Sequence, residues 1–414
     1  MMHYGPPGGQ RFDILIVGGG HGGAQAAISL RQEGFAGTIA IVTDELDLPY
    51  ERPPLSKEYL SGGKSFERML IRPAAFWSER GVTIMPGRRV DAVDPERHLA
   101  ATADGDEIGY DSLIWAAGGT PRRLTCRGAD LKGLHTVRTR ADVDQLAEEL
   151  KSASRIAVVG GGYIGLEAAA VLTKLGKRVH LLEAMDRVLA RVAGEELSRF
   201  FEARHRANGV EISLGVSVEC IQGDQGRVTA VTLADGTAVA AEMVVVGIGI
   251  VPAVQPLLDA GAEGGNGVVV DGQCRTSLPC VYAIGDCALH RNSHANGAYV
   301  RLESVQNATD QARIAAKSIL GQDAAYDALP WFWSNQYDVR LQTVGLSNGH
   351  DQRIMRGDAA SGSFSLLYLR QGRVIALDCV NMTRDYVQGR KLISSGRVFD
   401  PELLADPAIR LKDL

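Results

Sequence analysis

Apolar and polar positions follow the same order in two segments of the chain. In each segment, a short apolar run of the kind needed by a parallel strand covered on both faces leads into glycines and then a helical pattern. The first copy comprises strand 12–17, turn 18–23 and strand 38–43, and the second comprises strand 156–159, turn 160–165, helix 166–175 and strand 179–182. Because each copy has the length of one strand–helix–strand unit, the repeat predicts two related nucleotide-binding domains.

Both turns carry glycines at the spacing GxGxxG. The glycines are Gly18, Gly20 and Gly23 in the first turn, and Gly160, Gly162 and Gly165, with Tyr163 and Ile164 between the last two, in the second. The first glycine permits the tight turn, the second lets backbone approach a pyrophosphate, and the third lets helix and strand pack closely. An acidic residue ends the next strand of each copy, Asp44 in the first and Glu183 in the second. The sequence therefore predicts two dinucleotide sites.

Charge and position assign the two sites to different nucleotides. A carboxylate such as Glu183 accepts hydrogen bonds from both ribose hydroxyls and repels a 2′-phosphate, so the second site is predicted to bind NADH rather than NADPH. Arg187 lies nearby, and we interpret it as a surface or pyrophosphate-side residue. FAD needs further contacts to its ribitol and ring, which we expect only from the first domain. Asp286, after strand 281–284, either binds ribitol hydroxyls or caps its own turn.

The remaining pattern completes an α/β fold with two Rossmann-like dinucleotide-binding domains and a C-terminal α+β domain. Ala117 and Gly118 close a later strand on the FAD side, and Gly249, which follows strand 243–246, is predicted to lie near the nicotinamide. Segments 209–214 and 227–233, with a turn at Asp235-Gly236, suggest antiparallel ribbons. The predicted domains are an FAD-binding domain (1–118 and 248–325, with a flexible leader at 1–11), an NAD-binding domain (119–247) and a C-terminal interface domain (326–414).

Composition narrows the class of protein. The net charge of -5 and the lack of a basic patch argue against nucleic acid as a partner. No apolar run reaches the roughly 18 residues that span a bilayer and no signal segment is evident, so we expect a cytoplasmic protein. The six cysteines form no CxxC pair and no ferredoxin-type spacing, which predicts neither a zinc site nor an iron–sulfur centre in this chain.

Four segments together resemble the FAD-dependent NADH:ferredoxin reductases of bacterial oxygenase systems, the family of putidaredoxin reductase and the biphenyl dioxygenase reductase. They are 49–57 (PYERPPLSK), 160–167 (GGGYIGLE), 282–286 (YAIGD) and 331–334 (WFWS). The resemblance implies a glutathione-reductase-like fold, tightly bound non-covalent FAD, exchangeable NADH and a monomer or weak dimer. It also implies a [2Fe–2S] ferredoxin that docks transiently and electrostatically near the flavin edge and supplies a cytochrome P450 or a ring-hydroxylating oxygenase.

The same resemblance implies roles for single residues. It makes Arg52, Lys57 and Arg122 flavin contacts, and it pairs Lys57 with Glu167 as the catalytic pair near the flavin N5 edge. It places Asp286 at the ribitol and Val305, at a helix start, at the pyrimidine edge of the flavin. It places Trp331 and Trp333 beside the flavin ring and the surface that the electron acceptor contacts. Without the resemblance, we would interpret Lys57 as a solvated lysine. Glu167 would be an acid at the second position of a helix that stabilises the helix dipole.

Two features concern the surface on which the ferredoxin would dock. The family usually has Asp where this chain has Asn335, which puts the match to the partner in doubt at that point. We name Arg301, Arg313 and Arg340 as docking candidates, with ordinary surface charge as the alternative.

Three rival functions share parts of this pattern. A disulfide or peroxide reductase needs a redox cysteine beside the flavin, and residues 44–60 contain none. An NADH:quinone or diaphorase-type flavoprotein is not separated from a ferredoxin reductase by these motifs. An apoptosis-inducing-factor-like protein, acting mainly by binding, is disfavoured by the lack of a targeting segment and of a basic face.

Overall fold

The computed structural model describes residues 10–414, which pack into two compact units. Unit 1 contains residues 10–52, 66–120 and 251–330, and unit 2 contains residues 53–65, 121–250 and 331–414. Of the predicted flexible leader, residues 1–9 lie outside the described part of the chain, and Arg11 already begins the first strand. The predicted division into three domains stays a prediction.

Unit 1 is built on a sheet in the order β3-β2-β1-β6-β5-β4, with β19 pairing β6. Its strands are β1 (Arg11–Val17), β2 (Ile39–Val42), β3 (Val82–Met85), β4 (Val90–Asp94), β5 (Leu99–Thr102), β6 (Glu107–Trp115) and β19 (Val281–Ala283). Strands β1, β2, β3, β6 and β19 are parallel, and β4 and β5 add an antiparallel edge. Both faces are covered: Leu15 and Val17 lie in one apolar core, while Ile14 and Ile16 lie in another, which is why β1 is apolar without a break from Ile14 to Val17.

The other elements of unit 1 cover and extend this sheet. The helices are α1 (His21–Gln32), α2 (Ala74–Glu79), α6 (Gln255–Asp259) and α7 (Val305–Ile319), and a second, smaller sheet contains β17 (Gly264–Gly265), β18 (Gly267–Val270), β20 (Ala288–Arg291) and β21 (Tyr299–Val300). Short 3₁₀ turns lie at Phe66–Met69, Gly285–Cys287 and Ser293–Ala295. Strands β7 (Gly119–Pro121) and β16 (Ile250–Pro252) each include a boundary between the units.

Unit 2 contains a second parallel sheet, in the order β11-β10-β9-β15-β8. Its strands are β8 (Leu134–His135), β9 (Arg155–Val159), β10 (Arg178–Glu183), β11 (Glu211–Leu214) and β15 (Met243–Val246), and its helices are α3 (Arg140–Leu150), α4 (Tyr163–Lys174) and α5 (Glu195–Ala207). An antiparallel ribbon is formed by β12 (Val218–Asp224), β13 (Arg227–Leu233) and β14 (Ala238–Ala240). The two strand–turn–helix repeats are thus confirmed as the starts of two parallel sheets.

Unit 2 also contains an antiparallel sheet near the C-terminus, in the order β22-β23-β26-β25-β24. Its strands are β22 (Trp331–Gln336), β23 (Val339–Gly345), β24 (Gln352–Asp358), β25 (Ser363–Arg370) and β26 (Arg373–Val380), followed by helices α8 (Thr383–Ser395) and α9 (Pro401–Ala405). Further 3₁₀ turns lie at Pro53–Ser56, Ala359–Ser361 and Leu411–Asp413. The fold class predicted from the sequence, two Rossmann-like domains and a C-terminal α+β domain, is confirmed.

Two local predictions are wrong. Segment 209–214 does not form a ribbon with 227–233, because β11 adds in parallel to β10 at the edge of the sheet, and the partner of β13 is β12. Helix α4 begins at Tyr163, inside the glycine turn, so Glu167 is its fifth residue and not its second. None of the helices formed by residues 10–414 is long and apolar enough to cross a membrane.

Candidate functional site

The glycine turn of unit 1 joins β1 to α1 at the carboxyl edge of the sheet. Gly18 has φ of 113°, and a Cβ there would lie 2.4 Å from the carbonyl oxygen of Ala116. A Cβ on Gly23 would lie 2.0 Å from the carbonyl oxygen of Gly18, so glycine is required at both positions for the turn and helix to pack. Gly20, the N-cap of α1, faces open space, as expected where a helix N-terminus receives a pyrophosphate.

The neighbouring strands bring the other predicted flavin residues of unit 1 to this edge. Val17 is in register with Trp115, and Trp115 with Ala283, so Ala117, Gly118 and Asp286 follow the strand ends beside the Gly18 turn. The Gly285 N–H donates to Gln311 Oε1 of α7 at 2.7 Å, which fixes the turn that carries Asp286. Val305 is the first residue of α7, whose N-cap Ser304 accepts the Asn307 N–H at 3.1 Å.

Asp44 and Arg52 follow the second strand of unit 1. Asp44 is exposed just beyond β2, so its carboxylate is open to a ligand there. Arg52 forms an ion pair with Glu45 and donates to Tyr50 Oη at 3.0 Å, and Tyr50 Oη donates to Glu45 Oε2 at 2.5 Å. Burial is the largest single influence and opposes ionisation, but the charge of Glu45, its hydrogen bond and the nearby Tyr50 and Asp44 together outweigh burial and raise the pKa of the Arg52 guanidinium. Sequence reasoning missed Glu45, although it lies next to Asp44.

The glycine turn of unit 2 repeats this geometry. Gly160 has φ of 106°, and a Cβ there would lie 2.4 Å from the carbonyl oxygen of Gly247. A Cβ on Gly165 would lie 2.0 Å from the carbonyl oxygen of Gly160, while Gly162, the N-cap of α4, faces open space. Both turns therefore fit a dinucleotide pyrophosphate, because each leaves the N-terminus of a helix uncovered by side chains.

Glu183 lies at the end of β10 and is held by two backbone donors. Its Oε2 accepts the Gly161 N–H at 2.5 Å, and its Oε1 accepts the Met185 N–H at 2.8 Å. The nearby Arg187 donates to the carbonyl oxygens of Ala193 at 2.9 Å and Ala190 at 3.0 Å, so it braces its own loop. These bonds fix the orientation of the Glu183 carboxylate and hold the Arg187 guanidinium against its own loop.

Other predicted contacts of unit 2 lie both inside and outside the glycine turn. The Arg122 N–H donates to the carbonyl oxygen of Gly249 at 2.9 Å, which joins a predicted flavin contact to a predicted nicotinamide contact. Gly249 has φ of 96°. Ile164 is 44% exposed, and the ring of Tyr163 lies 4.6 Å from that of Phe332, measured between centroids. Sequence reasoning did not single out Phe332.

Lys57 and Glu167, predicted as a pair only by resemblance, meet in unit 2. Lys57 Nζ donates to Glu167 Oε2 at 2.5 Å and to the Pro53 carbonyl oxygen at 3.1 Å. Ser56 Oγ also donates to Glu167 Oε2, at 2.6 Å, and Ser334 Oγ donates to Glu167 Oε1 at 2.6 Å. Glu167 is 2% exposed, so its charge is balanced by these donors and not by solvent. The two serines were not predicted; both stand in the motif segments, but only the fold brings them to Glu167.

The segment 331–334 with the residues after it, and the three docking candidates, are exposed to different degrees. The rings of Trp331 and Trp333 lie 5.5 Å apart, and Asn335, which follows them on β22, is exposed. Of the docking candidates, Arg340 is exposed and Arg313 is 54% exposed. Arg301 is only 11% exposed, since it pairs with Glu303 at 2.7 Å and donates to the Asp286 carbonyl oxygen at 2.9 Å, which disfavours it as a docking residue.

Known proteins are similar to this one along almost the whole chain. The family model described as pyridine nucleotide-disulphide oxidoreductase matches residues 12–312, and the model described as reductase C-terminal matches residues 331–414. The 5,5'-dehydrodivanillate O-demethylase ferredoxin reductase subunit of Sphingobium sp. (strain NBRC 103272 / SYK-6) is 61% identical over 404 residues, 97% of this chain and 98% of that protein.

Solved structures of ferredoxin reductases are also similar to this chain over almost its whole length. The ferredoxin reductase for the CYP199A2 system from Rhodopseudomonas palustris superposes with a TM-score of 0.93 at 39% identity, covering 97% of this chain and 99% of that one. The covalent putidaredoxin reductase–putidaredoxin complex also gives a TM-score of 0.93, at 36% identity, covering 98% and 97%.

Fold and site together define an oxidoreductase that uses a flavin and a nicotinamide nucleotide. The chain belongs to the pyridine nucleotide-disulphide oxidoreductase family and, within it, to the ferredoxin reductases.

Proposed function

We propose that this protein is an NADH:ferredoxin reductase that passes electrons from NADH through tightly bound FAD to a [2Fe–2S] ferredoxin serving a cytochrome P450 or a ring-hydroxylating oxygenase. The observation that carries the proposal is the pair of open glycine turns, each with a carboxylate after the following strand. The 61% identity to a ferredoxin reductase subunit of an O-demethylase supports the acceptor.

The two turns take different nucleotides in this proposal. FAD is assigned to unit 1, where Gly18, Gly20 and Gly23 receive its pyrophosphate, Asp44 its ribose and Asp286 its ribitol. When bound, FAD accepts a hydride and releases electrons one at a time. The proposed domains are 1–118 with 248–325 for FAD, 119–247 for NAD and 326–414 for the interface.

NADH is assigned to unit 2, and the reason is electrostatic. The carboxylate of Glu183 already accepts two backbone N–H groups, so its remaining lone pairs face ribose hydroxyls, and a 2′-phosphate would meet an uncompensated negative charge. Arg187 does not relieve that repulsion, because its guanidinium is bound to the carbonyl oxygens of its own loop.

Lys57 has the role of a cation held at a fixed point. Its ammonium donates to Glu167 and to the Pro53 carbonyl oxygen, so its position is set by the protein. A fixed cation stabilises negative charge that develops beside it without reorganisation cost, which is the role proposed for it toward the flavin. Arg122, Val305 and Trp331 remain proposed flavin contacts on the strength of the resemblance.

Thiol chemistry is disfavoured at Cys287, which directly follows Asp286. Burial raises the pKa of its thiol to about 12, so the reactive thiolate is not formed near neutral pH. A disulfide reductase would need a cysteine with the opposite property.

The test is an anaerobic titration of the yellow protein with NADH and with NADPH, followed by cytochrome c reduction with and without [2Fe–2S] ferredoxins. We expect bleaching at one equivalent of NADH, a kcat/KM for NADH far above that for NADPH, and cytochrome c reduction that depends on ferredoxin. Reduction of a quinone at the same rate with no response to any ferredoxin would favour the diaphorase alternative and refute the proposed acceptor.

A further inference from the structure

Glu167 is the end point of a chain of hydrogen bonds that begins at Tyr337, in the turn after β22, and passes through His205 of α5. The chain runs from Tyr337 through His205, Gln336 and Ser334 to Glu167, and we call it the His205–Glu167 chain. His205, Gln336, Ser334 and Glu167 are buried, so the polar atoms that join them must find their partners within the protein.

Each hydrogen bond of this chain is donated in the direction of Glu167. Gln336 Nε2 donates to Ser334 Oγ at 3.1 Å, which leaves the single hydroxyl hydrogen of Ser334 for Glu167 Oε1 at 2.6 Å. The opposite orientation of the Gln336 amide would draw that hydrogen away and leave a serine lone pair facing a carboxylate oxygen. The charge of Glu167 therefore selects the orientation of Gln336.

His205 fixes the same orientation from the other end. Its Nε2 lies 2.8 Å from Gln336 Oε1, so this nitrogen carries the hydrogen, and its Nδ1 lies 3.2 Å from Tyr337 Oη and accepts. Burial lowers the pKa of His205 to about 4, so the ring is neutral near pH 7, as this arrangement requires.

We propose that Ser334 is a positioning residue that holds the Glu167 carboxylate in place for Lys57, and that Gln336 and His205 fix the direction of its hydroxyl. The inference rests on the proposed function, in which Lys57 acts beside the flavin. Lys57 and Ser56 occupy Oε2 of Glu167, and Ser334 alone among the described contacts holds Oε1. Without Ser334 the carboxylate loses its restraint against rotation, and the ammonium loses its fixed position.

The first experiment measures flavin reduction by NADH in the loaded enzyme under anaerobic stopped flow. We expect S334A to lower the limiting rate constant about tenfold, the factor that one hydrogen bond to a charged group is worth, with the NADH dissociation constant changed less than twofold. S365A is the matched control: Ser365 is equally buried in the same sheet and donates to a different carboxylate, Asp385, at 3.2 Å. We expect less than a twofold change there.

The second experiment needs no flavin reduction. In a double-mutant cycle on the unfolding midpoint, S334A should lower the midpoint in the wild-type background and not in the E167Q background, because its charged acceptor is then gone. The rate constants should show the same non-additivity. If S334A does not fold, Q336M tests the same point by removing the donor that directs the Ser334 hydroxyl, with about a threefold loss of rate expected.

The outcomes separate the two proposals. If K57M slows flavin reduction more than tenfold while S334A behaves like S365A, or if the S334A loss persists in full in the E167Q background, the inference is refuted and the proposed role of Lys57 stands. If K57M is reduced at the wild-type rate, both are refuted.

Discussion

Asp378 offers a quantitative test of how burial sets charge in unit 2. It lies on β26, is 6% exposed, and accepts a hydrogen bond from Tyr368 Oη at 2.6 Å. Burial raises its pKa from the ordinary 3.8 to about 7, against the Tyr368 hydrogen bond, which lowers it. Tyr368 Oη in turn accepts the N–H of Gly194, the N-cap of α5, at 3.0 Å, so the carboxyl is linked to the loop after Glu183.

Proton binding determines the direction in which the free energy of unfolding changes with pH. The folded chain holds a proton on Asp378 that the unfolded chain has released above pH 3.8, so this stabilisation is complete below about pH 4 and is lost as pH rises through about 7. The difference between the two pKa values corresponds to about 4 kcal/mol. D378N keeps the shape without the titration, so the free energy of unfolding of D378N relative to wild type should rise by about 3–4 kcal/mol between pH 4 and pH 8.

Urea unfolding of the flavin-loaded protein at several pH values measures this difference. D323N, which changes an exposed aspartate, is the control and should leave the pH profile unchanged within about 0.5 kcal/mol. A difference between D378N and wild type that stays constant from pH 4 to pH 8 would refute the reasoning, because Asp378 would then ionise equally in both states.

Three further substitutions test the sites and their support. E183Q should raise KM for NADH about tenfold or more, because an amide cannot accept both backbone N–H groups and the ribose hydroxyls; steady-state kinetics with NADH and NADPH measure this. G165A should abolish NADH binding in a fluorescence titration, because its Cβ would lie 2.0 Å from a carbonyl oxygen. R356M should cost about 3–5 kcal/mol in urea unfolding by stranding Asp385, since both are 0% exposed, whereas R353M, at an ion pair whose side chains are 35% and 33% exposed, should cost about 1 kcal/mol or less.

One control variant and two contradicting outcomes complete these tests. G265A, at a glycine with open space around it, should bind NADH like the wild type. An E183Q enzyme with unchanged KM for NADH would contradict the ribose role of that carboxylate. An R356M protein as stable as R353M would contradict the free energy of unfolding that we assign to the buried Arg356–Asp385 pair.

The two errors made from sequence have different causes. Segment 209–214 alternates like a ribbon strand, but the alternation of one strand does not identify its partner, and β10 was available at a parallel edge. The start of α4 was placed late because the glycines of its first turn read as a loop, although Gly162 serves as its N-cap. In the first case the neighbouring strand decided the outcome, and in the second the backbone of the glycine turn did.

By itself, the sequence determined the features that depend on neighbours in the chain. The glycine turns with Asp44 and Glu183 were readable because a strand, a tight turn and a helix N-terminus lie within a short segment. Only the tertiary structure decided what surrounds Glu167: Ser56 lies 111 residues away along the chain and Ser334 lies 167 away. A buried carboxylate needs partners wherever the fold supplies them, and residue spacing does not specify which distant side chains arrive.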